Sequence, residues 1–526
     1  MKTPKTILTA TALVVCFLSH AQWTSDPLNP QLVSNVAWNQ NGVQQVPDGS
    51  GGTFVYWLDS RVNGYVDTDI YGQHYNAEGV PQWEANGRLI VNPLLGYTFF
   101  NVMRSESDGE MILGWCDNND SLKFQKLDNQ GAKLWANDLC VARKVSCAPP
   151  TYVLGIASFR FMRDGLGYCV ATEVVYCGGA NGHRITRFTS DGVLTGWFNG
   201  EPEGSQYYSG AWGIDKTNDG TNEEYLFYTD GNGAGAHARV MRVSLAGDTV
   251  WGPLDALAGT NGLNYFYDAK SDDNGIAVLF QSTGPQGYTD LFMRKLNPDG
   301  TWAWGGSTTI VCGADGTQTL PHWQQDEEFY YVCWADSRPG TNPGNYDVYA
   351  QKIDKNTGAI QWAVDGIAVF SQSNYAPYPE CVVTTDGEMI VCSEASIGYG
   401  GFNAQKINPD GTLAWSPSVL IDNALYLPFY SDYHLIISDT NVIVAWAETN
   451  PYGGADGIYI SRFNQLPSAC PEDLNDDGVI NTADLLLFMS SFGCTVNCGD
   501  ADLSGDGVVN TSDLLLFMSA FGGVCP

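Results

Sequence analysis

The sequence predicts an all-β fold, a β-propeller of eight blades closed by its N-terminal strand, followed by a small all-α module. Three observations lead there. A strand-turn-strand unit ending in a Gly-containing turn and a Trp recurs along most of the 526 residues. The 59 glycines are scattered without a triplet period, as many tight turns between short strands require. After Phe463 this pattern gives way to a shorter repeat with helical spacing. Composition agrees: 44% hydrophobic and 12% aromatic residues supply a large core, and 16% charged residues fit poorly with a coiled coil. The 25 Lys plus Arg against 58 Asp plus Glu leave a net charge of −33, which argues against nucleic acid as a partner, because phosphate counterions are displaced by a basic face.

In chain order, residues 1–21 read as a signal peptide. Lys2 and Lys5 form a basic start, Ile7 to Leu18 an apolar stretch, and Ser19-His20-Ala21 a small-residue cleavage site. The mature chain is expected to begin at Gln22 and to be secreted, extracellular or at the cell surface. A lipoprotein signal needs a small residue before its cysteine, and Val15 precedes Cys16. No later stretch is long and apolar enough to span a bilayer, so no membrane insertion is expected. Export places the remaining cysteines where pairing is the default.

The propeller is expected over residues 22–466. Its turn-plus-Trp segments end at Trp83, Trp135, Trp197, Trp251, Trp304, Trp362 and Trp415, at spacings of 52 to 62 residues. About thirty residues after each lies an apolar strand, such as TFVYW at Trp57, MILGW at Trp115, YYVCW at Trp334 and VIVAW at Trp446. Counting these strands through Val55, Ile112, Tyr168, Leu226, Ala277, Tyr330, Ile390 and Val442 gives eight units. Alternating apolar positions with Asp-Gly or Asn-Gly punctuation are strand-turn-strand chemistry, and four short strands per fifty or so residues make a blade. The eighth unit stops at Gln465 before its Trp, whereas Trp23 has no unit in front of it. An N-terminal strand that completes the last blade fills all eight Trp positions and leaves no sheet edge open.

The turn-plus-Trp segment, clearest in QKIDKNTGAIQW from Gln351 to Trp362, resembles the tryptophan-docking repeat of pyrroloquinoline-quinone-like propellers. The resemblance implies an indole packed on the neighbouring blade, a stabilising role. The quinone-dependent members carry a vicinal Cys-Cys pair, and no two cysteines are adjacent here, so no quinone cofactor is expected.

The module is expected over residues 470–526, which contain no Lys, Arg or His. It reads DLNDDGVINTADLLLFMSSFG from Asp473 and DLSGDGVVNTSDLLLFMSAFG from Asp502. Oxygen ligands at positions 1, 3, 5, 7, 9 and 12 around a turn glycine are a calcium loop. The first copy offers Asp473, Asn475, Asp477, the Val479 carbonyl, Asn481 and Asp484, with Gly478 in the turn. The second offers Asp502, Ser504, Asp506, the Val508 carbonyl, Asn510 and Asp513, with Gly507. Two calcium ions are expected, the second site being weaker because Ser504 replaces the amide of Asn475. Leu485, Phe488, Met489 and Phe492, and likewise Leu514, Phe517, Met518 and Phe521, stand at i, i+3, i+4, i+7, so each loop is expected to lead into a short helix packed on its twin.

A duplicated loop and helix with Asp at position 12 resembles a type I dockerin. The resemblance implies an extracellular protein tied to polysaccharide degradation, with a cohesin-like or cell-surface protein as the module's partner. Thr482-Ala483 and Thr511-Ser512 match the small, hydroxyl-rich recognition type, while Met489-Ser490 and Met518-Ser519 stand where many dockerins place a basic pair. Cys470, Cys494, Cys498 and Cys525 bracket the copies and are expected to staple them, with three connectivities open.

Chemistry in the propeller is less legible. WLDSR (Trp57 to Arg61) and WADSR (Trp334 to Arg338), followed by Asp69-Ile70-Tyr71 and Asp347-Val348-Tyr349, are expected to be structural Asp-Arg turns rather than ligand contacts. His74, His183, His237, His322 and His434 have no zinc-ligand spacing, so a zinc site is not expected. Cys381 and Cys392 flank Asp386-Gly387 symmetrically, so a hairpin there is expected to bring them into a cross-strand disulfide, with Cys169–Cys177 and Cys140–Cys147 as weaker pairs. The propeller is expected to be a glycan-binding or interaction platform; the alternative is a glycoside hydrolase, whose two carboxyls no motif singles out among 58 acids.

Overall fold

The computed structural model describes residue 23 and residues 30–523, except 63–67, 93–98, 106–108, 118–120, 144–152, 165–166, 177–180, 200–211, 222, 231–236, 257–264, 284–286, 339–345, 375–377, 395–401, 416–417, 422–432, 440, 449–456, 464–471, 473, 475–479, 495–500, 502 and 504–507. Within these residues 32 strands form eight four-stranded antiparallel sheets, the eight blades of a propeller. Seven blades use consecutive strands, over Gln40–Val91, Phe99–Arg143, Val153–Asn199, Trp212–Asp255, Tyr265–Cys312, Gln318–Asn374 and Glu380–Ile421. The eighth combines Tyr433–Ser438, Asn441–Glu448 and Gly457–Arg462 with the N-terminal strand Gln31–Ser34. That strand pairs Gln31 with Ile460 and Leu32 with Tyr459, closing the ring as the unpaired repeat ends predict.

Burial falls from the second strand of each blade outward. All eight residues used to count the repeat lie on second strands and are buried. Met111–Cys116 is buried throughout and Gly275–Thr283 almost so, because neighbouring blades cover both faces of the sheet. These strands therefore read as continuous apolar runs rather than the expected alternation. The outermost strands keep one face in solvent, with Leu89, Val250 and Ile310 exposed.

The turn tryptophans hold each blade to the next. The indole Nε1 of Trp83 donates to the Asn129 carbonyl at 3.1 Å, Trp135 to Ser190 at 3.1 Å, Trp251 to Pro298 at 2.8 Å, Trp304 to Lys355 at 3.0 Å and Trp362 to Pro409 at 3.2 Å. Each acceptor belongs to the corresponding turn of the following blade. Trp23 does the same for the eighth blade, donating to Ala77 at 2.8 Å on the turn of the first. Each ring lies on a glycine of that turn with positive φ, for instance Gly411 at +89°, where an added Cβ would stand 2.7 Å from Trp362. Only glycine combines that backbone with so close an approach.

A buried glutamine sets the indole from behind. Gln351 Oε1 accepts from the Trp362 amide at 3.0 Å while its Nε2 donates to the Ala363 carbonyl at 2.8 Å. Gln73, Gln125 and Gln405 hold Trp83, Trp135 and Trp415 by the same amide-to-carboxamide bond. The sequence reading passed over these glutamines, although Gln recurs at one place in four of the turn-plus-Trp segments.

Register overturns one expectation. Cys381 pairs with Val391, and Cys392 with Glu380. The one-residue offset points the two thiols to opposite faces of the sheet, so Cys381 packs toward the sixth blade and Cys392 toward the eighth. Both are free, and the cross-strand disulfide does not form. Cys177 and Cys147, the partners assigned to Cys169 and Cys140, lie outside the described residues.

At the C-terminus two ten-residue helices follow, α1 (Thr482–Ser491) and α2 (Thr511–Ala520). Phe488 and Phe517 are buried and stack at 5.4 Å between ring centroids. The segments before and after the helices are exchanged, Ile480 bonding Gly523 and Gly522, and Val509 bonding Cys494 and Gly493. The expected apolar stripe is only partly internal. Met489, Phe492, Met518 and Phe521 are exposed, since two short helices meeting along one line bury one ring each.

Gly411→Ala is expected to cost about 3 kcal/mol, from left-handed strain plus the clash with Trp362. Gly220→Ala, at φ +81° with nothing within 4 Å, should cost about 1 kcal/mol. Thermal melts of the two variants check the difference. Trp23→Ala, which empties the closing position, is expected to lower stability by about 3–5 kcal/mol by the same measurement.

Candidate functional site

The two Asp-Arg turns superimpose in chemistry. Asp336 is fully buried; it accepts from Trp334 Nε1 at 2.9 Å, and from Arg338 through Nε at 3.0 Å and a terminal nitrogen at 2.7 Å. Arg338 also donates to the Asp365 carbonyl at 2.8 Å and lies 3.5 Å over the Tyr349 ring. Asp59, Trp57, Arg61, Asn86 and Tyr71 repeat this set in the first blade. The donors and acceptors are directed inward, at indole, backbone and ring, so the motif is a structural clasp. Beside it, burial pushes the Cys312 thiol up to about 12.

The first strand of most blades packs against the first strand of the next, so these strands line the ring's axis. They carry Gln44, Arg160, Asp268, His322, Glu380 and His434, each at least partly accessible. Asp268 takes Arg160 at 3.3 Å and the Trp323 indole at 3.0 Å; Glu380 accepts the Leu435 amide at 3.0 Å. Burial raises Glu380 to about 7 despite the opposing charge of His322, and burial together with His322 lowers His434 to about 4.

Between the sixth and seventh blades this wall becomes denser. His322 pairs across its hairpin with Cys333, and Cys381 reaches it from the neighbouring first strand. His322 Nδ1 stands 3.3 Å from Cys381 Sγ and accepts the Cys381 amide at 3.1 Å, while Cys333 Sγ lies 3.6 Å from the His322 carbonyl. Burial works against ionisation of Cys381, but the hydrogen bond to Cys333 and the His322 ring bring it below the usual thiol range. These residues are 11 and 59 positions from His322, so no linear spacing joins them; the sequence points Cys381 to Cys392 instead and gives His322 and Cys333 no role.

A cleft of about 1040 Å³ opens among the turns of the fourth to seventh blades, lined by acids, Lys352, Lys355, Phe329 and Tyr331. Its best-placed carboxylates are engaged. Asp272 holds Lys295 at 2.7 Å and the Tyr330 hydroxyl; Asp326 holds the Tyr331 hydroxyl at 2.7 Å and the amides of Glu328 and Phe329.

In the C-terminal module, Asp473, Asn475, Asp477, Val479, Asp502, Ser504 and Asp506 lie outside the described residues. The remaining ligand positions fall at the helix starts. Asn481 and Asn510 are N-caps, accepting from Ala483 and Ser512 at 2.8 and 2.7 Å. Asp484 and Asp513 close reciprocal capping boxes, each accepting its cap's amide at 2.8 Å, and both are fully buried. Val508, directly before this cap region, directs its carbonyl to Asn510 Nδ2 at 3.0 Å.

No family model matches the chain, and no curated protein matches it. Solved structures do. The BP39L lectin from Burkholderia pseudomallei is 13% identical, covering 74% of this chain and 100% of that one, with a TM-score of 0.40. The β-propeller domain of the trilobed protease from Pyrococcus furiosus is 9% identical over 71% and 98%, with a TM-score of 0.38. An α-L-arabinofuranosidase of Fusarium graminearum in complex with arabinobiose is 12% identical over 60% and 95%, with a TM-score of 0.33.

Asp336→Ala strands a buried indole N–H and the Arg338 cation, and is expected to destabilise the propeller by about 3–5 kcal/mol. Arg338→Met, which leaves the carboxylate its indole donor, should cost less. Differential scanning calorimetry of both variants checks the order.

Proposed function

We propose that the protein is a secreted propeller that serves as a glycan-binding or interaction platform in extracellular polysaccharide degradation, carrying a dockerin-like module that folds around two calcium ions. The observation that carries the calcium reading is the pair Asp484 and Asp513. Two fully buried carboxylates stand in identical capping boxes, in a segment from Cys470 to Pro526 that holds nine acids and no basic side chain. Burying carboxylates without a cation nearby is costly, and hard oxygen donors call for a hard ion. Asp473, Asn475, Asp477, the Val479 carbonyl, Asn481 and Asp484 would hold the first ion, and Asp502, Ser504, Asp506, the Val508 carbonyl, Asn510 and Asp513 the second. The ions supply charge neutralisation and link each loop to its helix; disulfides from Cys470, Cys494, Cys498 and Cys525 would complete the staple. The exposed Leu486 and Leu515, at matching places on α1 and α2, suit a protein partner of the cohesin type or at a cell surface.

For the propeller, the platform reading is preferred to a hydrolase because its repeated polar groups are directed into contacts within and between blades. In the large cleft Asp272 and Asp326 already serve turns and an ion pair. The acid-lined cleft offers hydroxyl-bonding groups beside the partly exposed Phe329 ring, the chemistry that a sugar chain uses.

Calorimetric titration of the full chain with calcium is expected to give two binding events, the weaker belonging to the loop with Ser504. Asp484→Asn should remove the tighter event and Asp513→Asn the weaker; one event, or two of equal affinity, contradicts the assignment. Incubation with a panel of polysaccharides should give retention in affinity electrophoresis and no new reducing ends. Release of reducing ends from any of them would replace the platform with a glycoside hydrolase.

A further inference from the structure

We propose that His322, Cys333 and Cys381 form a metal site for zinc, or another thiolate-seeking ion of that size, in the axial wall between the sixth and seventh blades. One nitrogen and two sulfur atoms of these residues lie within 4.8 Å of one another. A tetrahedral ion with bonds of about 2.0–2.3 Å sets its ligands about 3.5–3.8 Å apart. The observed 3.3 Å between His322 Nδ1 and Cys381 Sγ is close to that edge. The three atoms therefore converge to within a side-chain adjustment of a coordination triangle.

The imidazole is in its ligating form. Because the Cys381 amide donates to Nδ1 at 3.1 Å, that nitrogen carries no proton, and an ion would take its lone pair in place of the amide. Both thiols are free and buried, while His322 keeps partial access to the axis. Three protein ligands and one side open to the axis match a site that retains a water in the fourth position. Two thiolates balance a divalent cation, so loading releases the remaining thiol protons and leaves no net charge buried at the three ligands. Sulfur donors set this site apart from the oxygen-only loops of the C-terminal module, and select against calcium.

Cobalt(II) added to the full-length protein, kept reduced and stripped with chelator, provides the test. One equivalent is expected to give sulfur-to-cobalt charge-transfer absorption and the intense visible bands of a tetrahedral site. Zinc should bleach both. Oxygen-ligated cobalt in the C-terminal loops gives only weak bands, so the two locations are distinguishable. His322→Gln, at the accessible edge of the cluster, and Cys381→Ser should each weaken cobalt binding at least tenfold, while circular dichroism stays unchanged. Asp484→Asn should leave the bands intact. No charge-transfer absorption, or absorption that survives both cluster variants, overturns the proposal. So does a Cys333–Cys381 disulfide found by mass spectrometry of the protein as isolated under non-reducing conditions, which would make the pair a covalent staple between blades.

Discussion

The contact on which the ring depends is an indole held between two blades. A turn tryptophan takes its position from a glutamine of its own blade, then donates its N–H to a carbonyl of the next blade's turn and lies flat on that turn's glycine. Each element of the contact fixes a different quantity. The carboxamide sets the indole's place along the strand, the hydrogen bond sets the rotation between blades, and the glycine sets their separation. Repeated around the ring, these restraints leave little choice of angle, and closure follows when Trp23 makes the last contact from the N-terminal side. A propeller of repeats is otherwise a chain of nearest-neighbour interfaces with two unsatisfied ends.

This design accounts for where polar side chains go. Asp59 and Asp336, Gln73 and Gln351, Lys295 and Asp272 are all buried and matched by indole, backbone or opposite charge. Buried polar groups of this kind stabilise little on their own, yet leaving one unmatched is costly, so they enforce one register within each blade. Among the described residues, chemistry directed outward gathers at the axis and in the cleft among the turns. The axial wall varies from blade to blade, with Arg160, Asp268, His322, Glu380 and His434 at neighbouring places on first strands, whereas the second strands behind it are buried and mainly apolar.

The C-terminal helices follow a different logic. One stacked pair of phenylalanines lies at the centre of the two copies, with Ile480, Ala501 and Val509 buried around it. Their capping boxes repeat to within 0.1 Å, so Asp484 and Asp513 hold their helix starts in the same way. The exposed Leu, Met and Phe residues on both helices are the counterpart of that small core: a two-helix unit leaves most of its apolar positions outside.

The sequence by itself determined the fold class, the number of blades, the closing strand and the two helices, because each is written in a local period that repeats. The tryptophans and their turn glycines were legible for that reason, as was the Asp-Arg clasp, which occurs twice. Tertiary structure alone decided what depends on register and on contact between blades. Cys381 and Cys392 look symmetric about their turn, but a one-residue offset sends them to different interfaces. His322, Cys333 and Cys381 meet only because a hairpin and the neighbouring blade's first strand converge on one point of the axis. A local period fixes which face a residue takes within its blade; which residues face each other across blades is set by the closure of the ring.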